Sequence, residues 1–220
     1  NEIPAELNAV YFQVAISADG SGAAALFQQF EPQIMGLVYF NRTGHNRWSI
    51  ALPGMTDYFP FLEGSTAKLV DISDDGEYVA AAFNNGTGSS PLYWNESSTS
   101  TGERDPTWVS LEIPAVITCL DMSGDGGLVA MGTDVSDYAY VFFHPNARSI
   151  YGPSGPTSGI TTLTSKVNDI AVSHDGYAAT AVTQGVDDYN QTTLYYWSDV
   201  PSLSAESPAN WTRKHPFPCV

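Results

Sequence analysis

Three aspartates in the middle of the sequence have a spacing that could build a site for a hard cation. Asp71 and Asp121 each precede a recurring Ser-x-Asp-Gly tetrad by two residues, and Asp169 precedes another copy by four. Converging carboxylates bind Ca²⁺, and two of them about 5–10 Å apart could also hydrolyse a glycoside. Ala15 and Ala171 stand at the positions equivalent to Asp71, so a ring of acids would be incomplete. In the alternative interpretation, each aspartate accepts a hydrogen bond from a neighbouring repeat. We therefore predict no bound metal and no cofactor, with Ca²⁺ as the alternative.

The other reactive residue types do not form a catalytic motif. A hydrolytic triad needs a nucleophile, a base and an orienting acid close together, whereas the histidines fall in a predicted turn or after strands of different repeats. The chain also lacks a nucleophile elbow, a zincin motif, a GxxxxGK phosphate loop and a CxxC pair. We therefore predict that the protein is not an enzyme. The histidines are His45, His144, His174 and His215.

Five asparagines lie in Asn-x-Ser/Thr sequons without a central proline, the acceptor motif for N-linked glycans in secreted proteins. Asn41 and Asn95 occupy the same position in two successive repeats. The pattern predicts a glycoprotein that is extracellular or attached to the cell surface. The predicted acceptors are Asn41, Asn85, Asn95, Asn190 and Asn210.

The sequence contains two cysteines, Cys119 and Cys219. In an oxidising compartment an even pair is normally bonded, so we predict a disulfide between them. Such a bond would close a loop of about 100 residues and contribute about 4 kcal/mol. Two free core thiols, or a bridge between molecules, are the alternatives.

The charge of the chain excludes one class of partner. Its net charge is −16, from 8 basic and 24 acidic residues, and a phosphate backbone needs a basic surface. Nucleic acid is therefore not a predicted partner. No apolar run is long enough for membrane insertion. The first residue is Asn rather than Met, which is the expectation after removal of a signal peptide and equally for a partial sequence.

Four copies of the tetrad organise the whole sequence. Their serines are separated by 56, 50 and 50 residues. An apolar run precedes and follows each copy, and the glycine supplies the positive φ that a tight hairpin turn requires. The Ser and Asp side chains hold such a turn by hydrogen bonds to nearby N–H groups. The copies are SADG at Ser17–Gly20, SDDG at Ser73–Gly76, SGDG at Ser123–Gly126 and SHDG at Ser173–Gly176.

Two further strand patterns follow each tetrad, and a third follows most of them. A small residue stands four positions after each turn glycine: Ala24, Ala80, Ala130 and Thr180. An aromatic segment comes next: Val38–Asn41, Leu92–Asn95, Val141–His144 and Tyr195–Ser198. A Trp…Pro segment closes three repeats from Trp48, Trp108 and Trp211, and the third repeat has Ser149–Tyr151 instead. From Val10 to Pro216 this pattern resembles the WD-repeat-like and YVTN-type β-propeller families.

The resemblance implies an all-β, four-bladed β-propeller with four antiparallel strands per blade. The blades would span approximately residues 8–53, 66–114, 115–152 and 166–217 of a single domain, 1–220, with a long loop at 152–165. True WD repeats carry Gly-His and Trp-Asp signatures that this chain lacks, so a scaffold role inside cells is not implied. No strand remains to complete the last blade, so ring closure must come from blade packing, a disulfide or neighbouring molecules.

Apolar residues outside the blades indicate how the protein functions. Tyr58, Phe59 and Phe61 lie in one loop, and Phe217 lies near the C-terminus. Such patches mark contacts between molecules, and head-to-tail contacts generate filaments. We therefore expect a structural protein that self-associates into a homopolymer, such as a fibre or surface layer. The same loop could instead be a lid over the propeller mouth. The alternative function is a carbohydrate-binding or carbohydrate-active propeller.

Overall fold

The structure is a computed structural model. In the part of the chain that it describes, β-strands joined by turns make up the fold. Within that part the strands form four antiparallel sheets, which follow one another along the chain. No helix among the described residues is long and apolar enough to cross a membrane. The described residues are 9–30, 33–41, 46–52, 69–84, 89–95, 115–134, 139–144, 160–163, 165–184, 192–198 and 215–217.

Each sheet is a meander, because each strand pairs with the next one along the chain. Short connections allow antiparallel neighbours to pair directly. The first sheet contains β1 (Ala9–Ile16), β2 (Gly22–Phe30), β3 (Gln33–Asn41) and β4 (Asn46–Leu52). The second sheet contains β5 (Val70–Ile72), β6 (Tyr78–Asn84) and β7 (Ser89–Asn95). The strand predicted from Trp108 lies outside the described residues.

The third and fourth sheets repeat this order with four strands each. The third contains β8 (Val116–Met122), β9 (Val129–Asp134), β10 (Ala139–His144) and β11 (Ile160–Leu163). The fourth contains β12 (Val167–Val172), β13 (Ala178–Thr183), β14 (Thr192–Ser198) and β15 (His215–Phe217). Among the described residues, three sheets therefore contain four strands and the second contains three.

The fourth strand of the third sheet lies later in the chain than the sequence pattern predicts. Strand β11 pairs with β10 from Ala139↔Leu163 to Phe142↔Ile160. The interpretation of 152–165 as a loop is therefore wrong for these four residues. The pattern failed here because Ile160–Leu163 lacks the tryptophan and proline of the other repeats. The predicted strand at 149–151 lies outside the described residues.

The third sheet also differs in register. In the first sheet Ala24 lies opposite Tyr39, whereas in the third sheet Ala130 lies opposite Phe143 rather than Phe142. The aromatic strand of the third sheet is therefore displaced by one residue relative to the alignment of the repeats.

Each tetrad forms the turn between the first two strands of its sheet. The Ser17 hydroxyl donates to the Asp19 carboxylate at 2.8 Å and accepts from the Gly22 N–H at 2.9 Å. The same carboxylate accepts from the Ser21 N–H at 2.8 Å, and all three bonds recur in the other three turns. The turn glycines have φ of 68°, 72°, 70° and 72°, a region that favours glycine. The predicted hairpin turns are confirmed.

The sheets pack face to face in chain order, and the core lies between them. One apolar cluster joins the first three sheets, and a second joins the third and fourth. Ala24, Ala80 and Ala130 are no more than 1% exposed, because their faces are covered by the following sheet. A larger side chain at these positions would hold neighbouring sheets apart.

Candidate functional site

Two of the three candidate cation ligands join neighbouring sheets. Asp71 Oδ2 accepts a hydrogen bond of 2.8 Å from the Met122 N–H in the next sheet. Asp121 Oδ2 accepts one of 2.7 Å from the Val172 N–H. The two aspartates are equivalent, so the same bond forms at two successive junctions. The structure therefore supports the alternative interpretation, in which these carboxylates bind backbone N–H groups of the adjacent sheet.

The third predicted ligand, Asp169, lies apart from this arrangement. Its side chain is exposed and accepts a 3.0 Å hydrogen bond from the N–H of Ile170, the next residue. Across the described residues, no group of three or more His, Cys, Asp or Glu side chains is placed to hold a metal ion. The three aspartates are thus not brought together as a ligand set.

The turns of different sheets meet at one end of the array, which sequence spacing does not reveal. The Asp19 N–H donates to the Asp74 carbonyl at 3.1 Å, and the Asp74 N–H donates to the Gly124 carbonyl at 2.8 Å. His174 Nε2 lies 2.9 Å from Asp74 Oδ2. A Cβ on Gly124 would lie 2.7 Å from both Asp74 Oδ2 and His174 Nδ1. The variable position of the tetrad is therefore where turns touch, and a side chain at Gly124 would displace the ends of the Asp74 and His174 side chains.

Two buried tyrosines connect the third strand of one sheet to the turn of the next. The Tyr39 hydroxyl donates to the Gly76 carbonyl at 2.9 Å, and the Tyr93 hydroxyl donates to the Gly126 carbonyl at 3.0 Å. Both side chains are almost fully buried. Gly76 and Gly126 thus serve two purposes, since their φ closes one hairpin and their carbonyls bind the preceding sheet.

Hydrogen bonds within the fourth turn also lower the pKa of its aspartate, Asp175. The Ser173 hydroxyl donates to Asp175 at 2.6 Å, and the Tyr177 N–H donates to the same oxygen at 3.1 Å. These bonds favour the charged form. They hold the pKa of the Asp175 carboxyl below its ordinary value, with the Ser173 bond as the largest cause.

Cys119 is a buried free thiol. It lies in the apolar cluster between the third and fourth sheets and is 1% exposed. Burial raises the pKa of Cys119 to about 12, against the smaller opposing effects of hydrogen bonds from Thr118 and Gly132. The predicted disulfide to Cys219 is therefore not supported, because the structure encloses this sulfur between two sheets. Cys219 itself lies outside the described residues.

The remaining predicted residues lie mostly outside the described part of the chain. Asn41 ends β3 and Asn95 ends β7, where they pair with Gly22 and Tyr78 at the same position of two successive sheets. Phe217 ends β15. The predicted residues outside the described part are Asn85, Asn190, Asn210, Tyr58, Phe59 and Phe61.

The first and last sheets expose large apolar side chains. Val14 and Ile16 of β1 are 75% and 72% exposed. In the fourth sheet Tyr177 and Tyr196 are 59% and 42% exposed. Isolated exposed apolar residues are common, but a cluster of them marks an interaction surface. These residues were not predicted as surface contacts, because they lie inside the repeats, where the sequence pattern predicts burial.

The comparisons with known proteins agree with this architecture. No family model matches the chain, and no curated protein matches its sequence. Among solved structures, it is similar to the β-propeller domain of the Trilobed protease from Pyrococcus furiosus, which has an open velcro topology. The TM-score is 0.57 at 10% identity, over 96% of this chain and 57% of that chain.

Two further solved structures show the same likeness. The Dos1 propeller gives a TM-score of 0.52 at 15% identity, over 93% of this chain and 47% of that chain. A eukaryotic initiation factor gives 0.53 at 11% identity, over 96% of this chain and 42% of that chain. The chain thus spans less than two thirds of each of these proteins. At such low identity the likeness concerns the fold alone, and the chain has the fold of a β-propeller.

Proposed function

We propose that this chain is a structural β-propeller, a secreted subunit that self-associates into an extracellular fibre or surface layer. The observation that carries the proposal is the exposure of large apolar side chains on both end sheets, Val14 and Ile16 on one and Tyr177 and Tyr196 on the other. Apolar faces at both ends of an array favour open-ended association. The proposal of a non-enzymatic role is supported by Asp71 and Asp121, because their carboxylates bind backbone N–H groups.

We further propose that the chain contributes four blades of four strands, with repeats of the WD-repeat-like or YVTN type. Three four-stranded sheets and one three-stranded sheet support this count. In this proposal the segment from Trp108, which lies outside the described residues, stays the predicted outer strand of the second blade. Proline at its end is compatible with an edge strand.

The secreted location is proposed from the sequons. Asn41 and Asn95 stand at the ends of equivalent strands in successive sheets, and the connections that follow strands usually run over the protein surface, where a glycan can attach. Glycans at regular intervals would keep the surface of a fibre soluble. The acidic composition, with a net charge of −16, has the same effect.

Electron microscopy of the purified full-length glycoprotein tests this proposal. We expect fibres or lattices whose mass per subunit equals one chain plus N-linked glycan. Monodisperse particles of one chain at every concentration would contradict it. Binding or hydrolysis of oligosaccharides by such particles would favour the carbohydrate-directed alternative.

A further inference from the structure

One face of the first sheet lacks the cover that its equivalents have. Val14 and Ile16 of β1 are 75% and 72% exposed, whereas the equivalent residues of β5, Val70 and Ile72, are 1% and 7% exposed. Asp71, between those two, faces the third sheet. Because side chains alternate, Val70 and Ile72 face the first sheet, which covers them.

The turn of the first sheet is open in the same way. A Cβ on Gly76 would lie 2.6 Å from Ser21 Oγ of the preceding sheet, and one on Gly126 would lie 2.5 Å from Tyr78 Cδ2. A Cβ on Gly20 would meet no described atom within 4 Å. We call the surface formed by Val14, Ile16 and Gly20 the head face. On the same side Ala25 and Val38 are buried, so the head face is confined to β1 and its turn.

The opposite face of the fourth sheet is uncovered as well. Tyr196 of β14 is 42% exposed, whereas the equivalent tyrosines, Tyr39 and Tyr93, are 4% and 1% exposed. Its neighbours on this face are partly exposed, although their equivalents in the first sheet, Ala24, Leu26 and Leu37, are each 1% exposed. We call this surface the tail face, and it comprises Thr180, Val182, Leu194 and Tyr196.

The head and tail faces correspond by position to the two halves of an internal junction. At the first two internal junctions, a third-strand tyrosine donates to the carbonyl of the next turn glycine, as Tyr39 does to Gly76. Tyr196 stands at the donor position on the tail face, and Gly20 stands at the acceptor position on the head face. The contact that joins successive sheets can thus be repeated between two molecules.

We propose that the tail face of one molecule binds the head face of a second copy of this chain, with Tyr196 Oη donating to the Gly20 carbonyl. This inference rests on the proposed assembly function and assigns its interface. This chain covers 57% of the Trilobed protease propeller domain. A ring as large as that propeller would therefore hold more sheets than one copy of this chain supplies. A head-to-tail contact gives a ring if its rotation closes and a filament if it does not.

A complementation experiment tests the contact, because each face can be blocked separately. Ile16→Arg places a charge on the head face, and Tyr196→Arg places one on the tail face. Gln184→Arg is the matched control, since Gln184 is exposed and follows β13 at the end remote from the turn. All four full-length glycoproteins are compared by analytical ultracentrifugation, with thermal unfolding to confirm folding.

We expect the wild type and Gln184→Arg to self-associate and each face variant to remain a monomer. An equimolar mixture of Ile16→Arg and Tyr196→Arg should form dimers and nothing larger, because one intact tail face meets one intact head face. If the face variants assemble like the wild type, the interface is overturned while the assembly function survives. If the wild type stays monomeric, the assembly function fails. A monomer with a lowered Tm in Ile16→Arg would show instead that the faces meet within one chain.

Discussion

The carboxylate of Asp71 accepts a 2.8 Å hydrogen bond from the backbone N–H of Met122, 51 residues later in the chain. Asp121 and Val172 repeat this relationship at the next junction with the same separation. Asp71 and Asp121, whose spacing in the sequence could have indicated a metal site, therefore hold one sheet against the next. Asp71 is 9% exposed, and a hydrogen bond to a carboxylate is stronger than one between neutral groups.

Asp71→Ala should destabilise the protein by about 1–3 kcal/mol, because the buried Met122 N–H loses its acceptor. Asp71→Asn keeps an acceptor oxygen and should cost less. Urea unfolding gives both values. The control is Asp134→Ala, which removes an exposed carboxylate 3.4 Å from Lys166 Nζ and should cost less than about 1 kcal/mol. Equal losses for Asp71→Ala and Asp134→Ala would contradict the role given to Asp71.

Tyr93→Phe should cost about 0.5–1.5 kcal/mol, since it removes only the hydroxyl that binds the Gly126 carbonyl. Tyr39→Phe should cost a similar amount at the preceding junction, and the two losses should add because the sites are separate. Chemical denaturation of the single and double variants measures this. Tyr177→Phe, at an exposed tyrosine, is the control and should leave the unfolding midpoint unchanged.

Cys119 should resist thiol reagents in the folded protein, because burial keeps the thiol protonated and inaccessible. We expect no labelling by a thiol-reactive reagent near pH 8 until denaturant unfolds the chain. A Cys219→Ser variant isolates the reaction of Cys119. Rapid labelling of this folded variant would show that the sulfur is accessible. Absence of labelling in the unfolded, unreduced wild type would instead reveal a disulfide.

Acid should weaken the fourth turn through Asp175. Its pKa is lowered in the folded protein, so its stabilising effect is complete above the ordinary Asp pKa of about 3.9 and is lost as the pH falls through the lower folded value. The free energy of unfolding should therefore decrease less between about pH 7 and pH 3 in Asp175→Asn than in the wild type. Ser173→Ala removes the hydrogen bond that is the main cause of the lowered pKa. This variant should therefore also show a smaller decrease of the unfolding free energy with falling pH. Parallel profiles for all three proteins would be inconsistent with this assignment.

The repeat made the local structure predictable. Each turn needed a glycine with positive φ and a Ser-Asp pair to bind its N–H groups, and these requirements act over four or five residues. The tetrads therefore located four hairpins correctly, and the small residues at Ala24, Ala80 and Ala130 indicated the crowded faces. Strand β11 was not located, because Ile160–Leu163 is recognisable only through its pairing with β10.

The sequence by itself determined the β-sheet repeat, the turns and the acidic composition, because those depend on residue type and short spacing. The tertiary structure decided which groups meet across more than 50 residues. It showed that Asp71 binds the next sheet, that His174 lies against Asp74 across Gly124, and that Cys119 is enclosed between sheets. It also decided in which repeats the side chain at a given position is buried. Val14 and Val70 stand at equivalent positions of the repeat, but Val70 is buried against the first sheet whereas Val14 is 75% exposed.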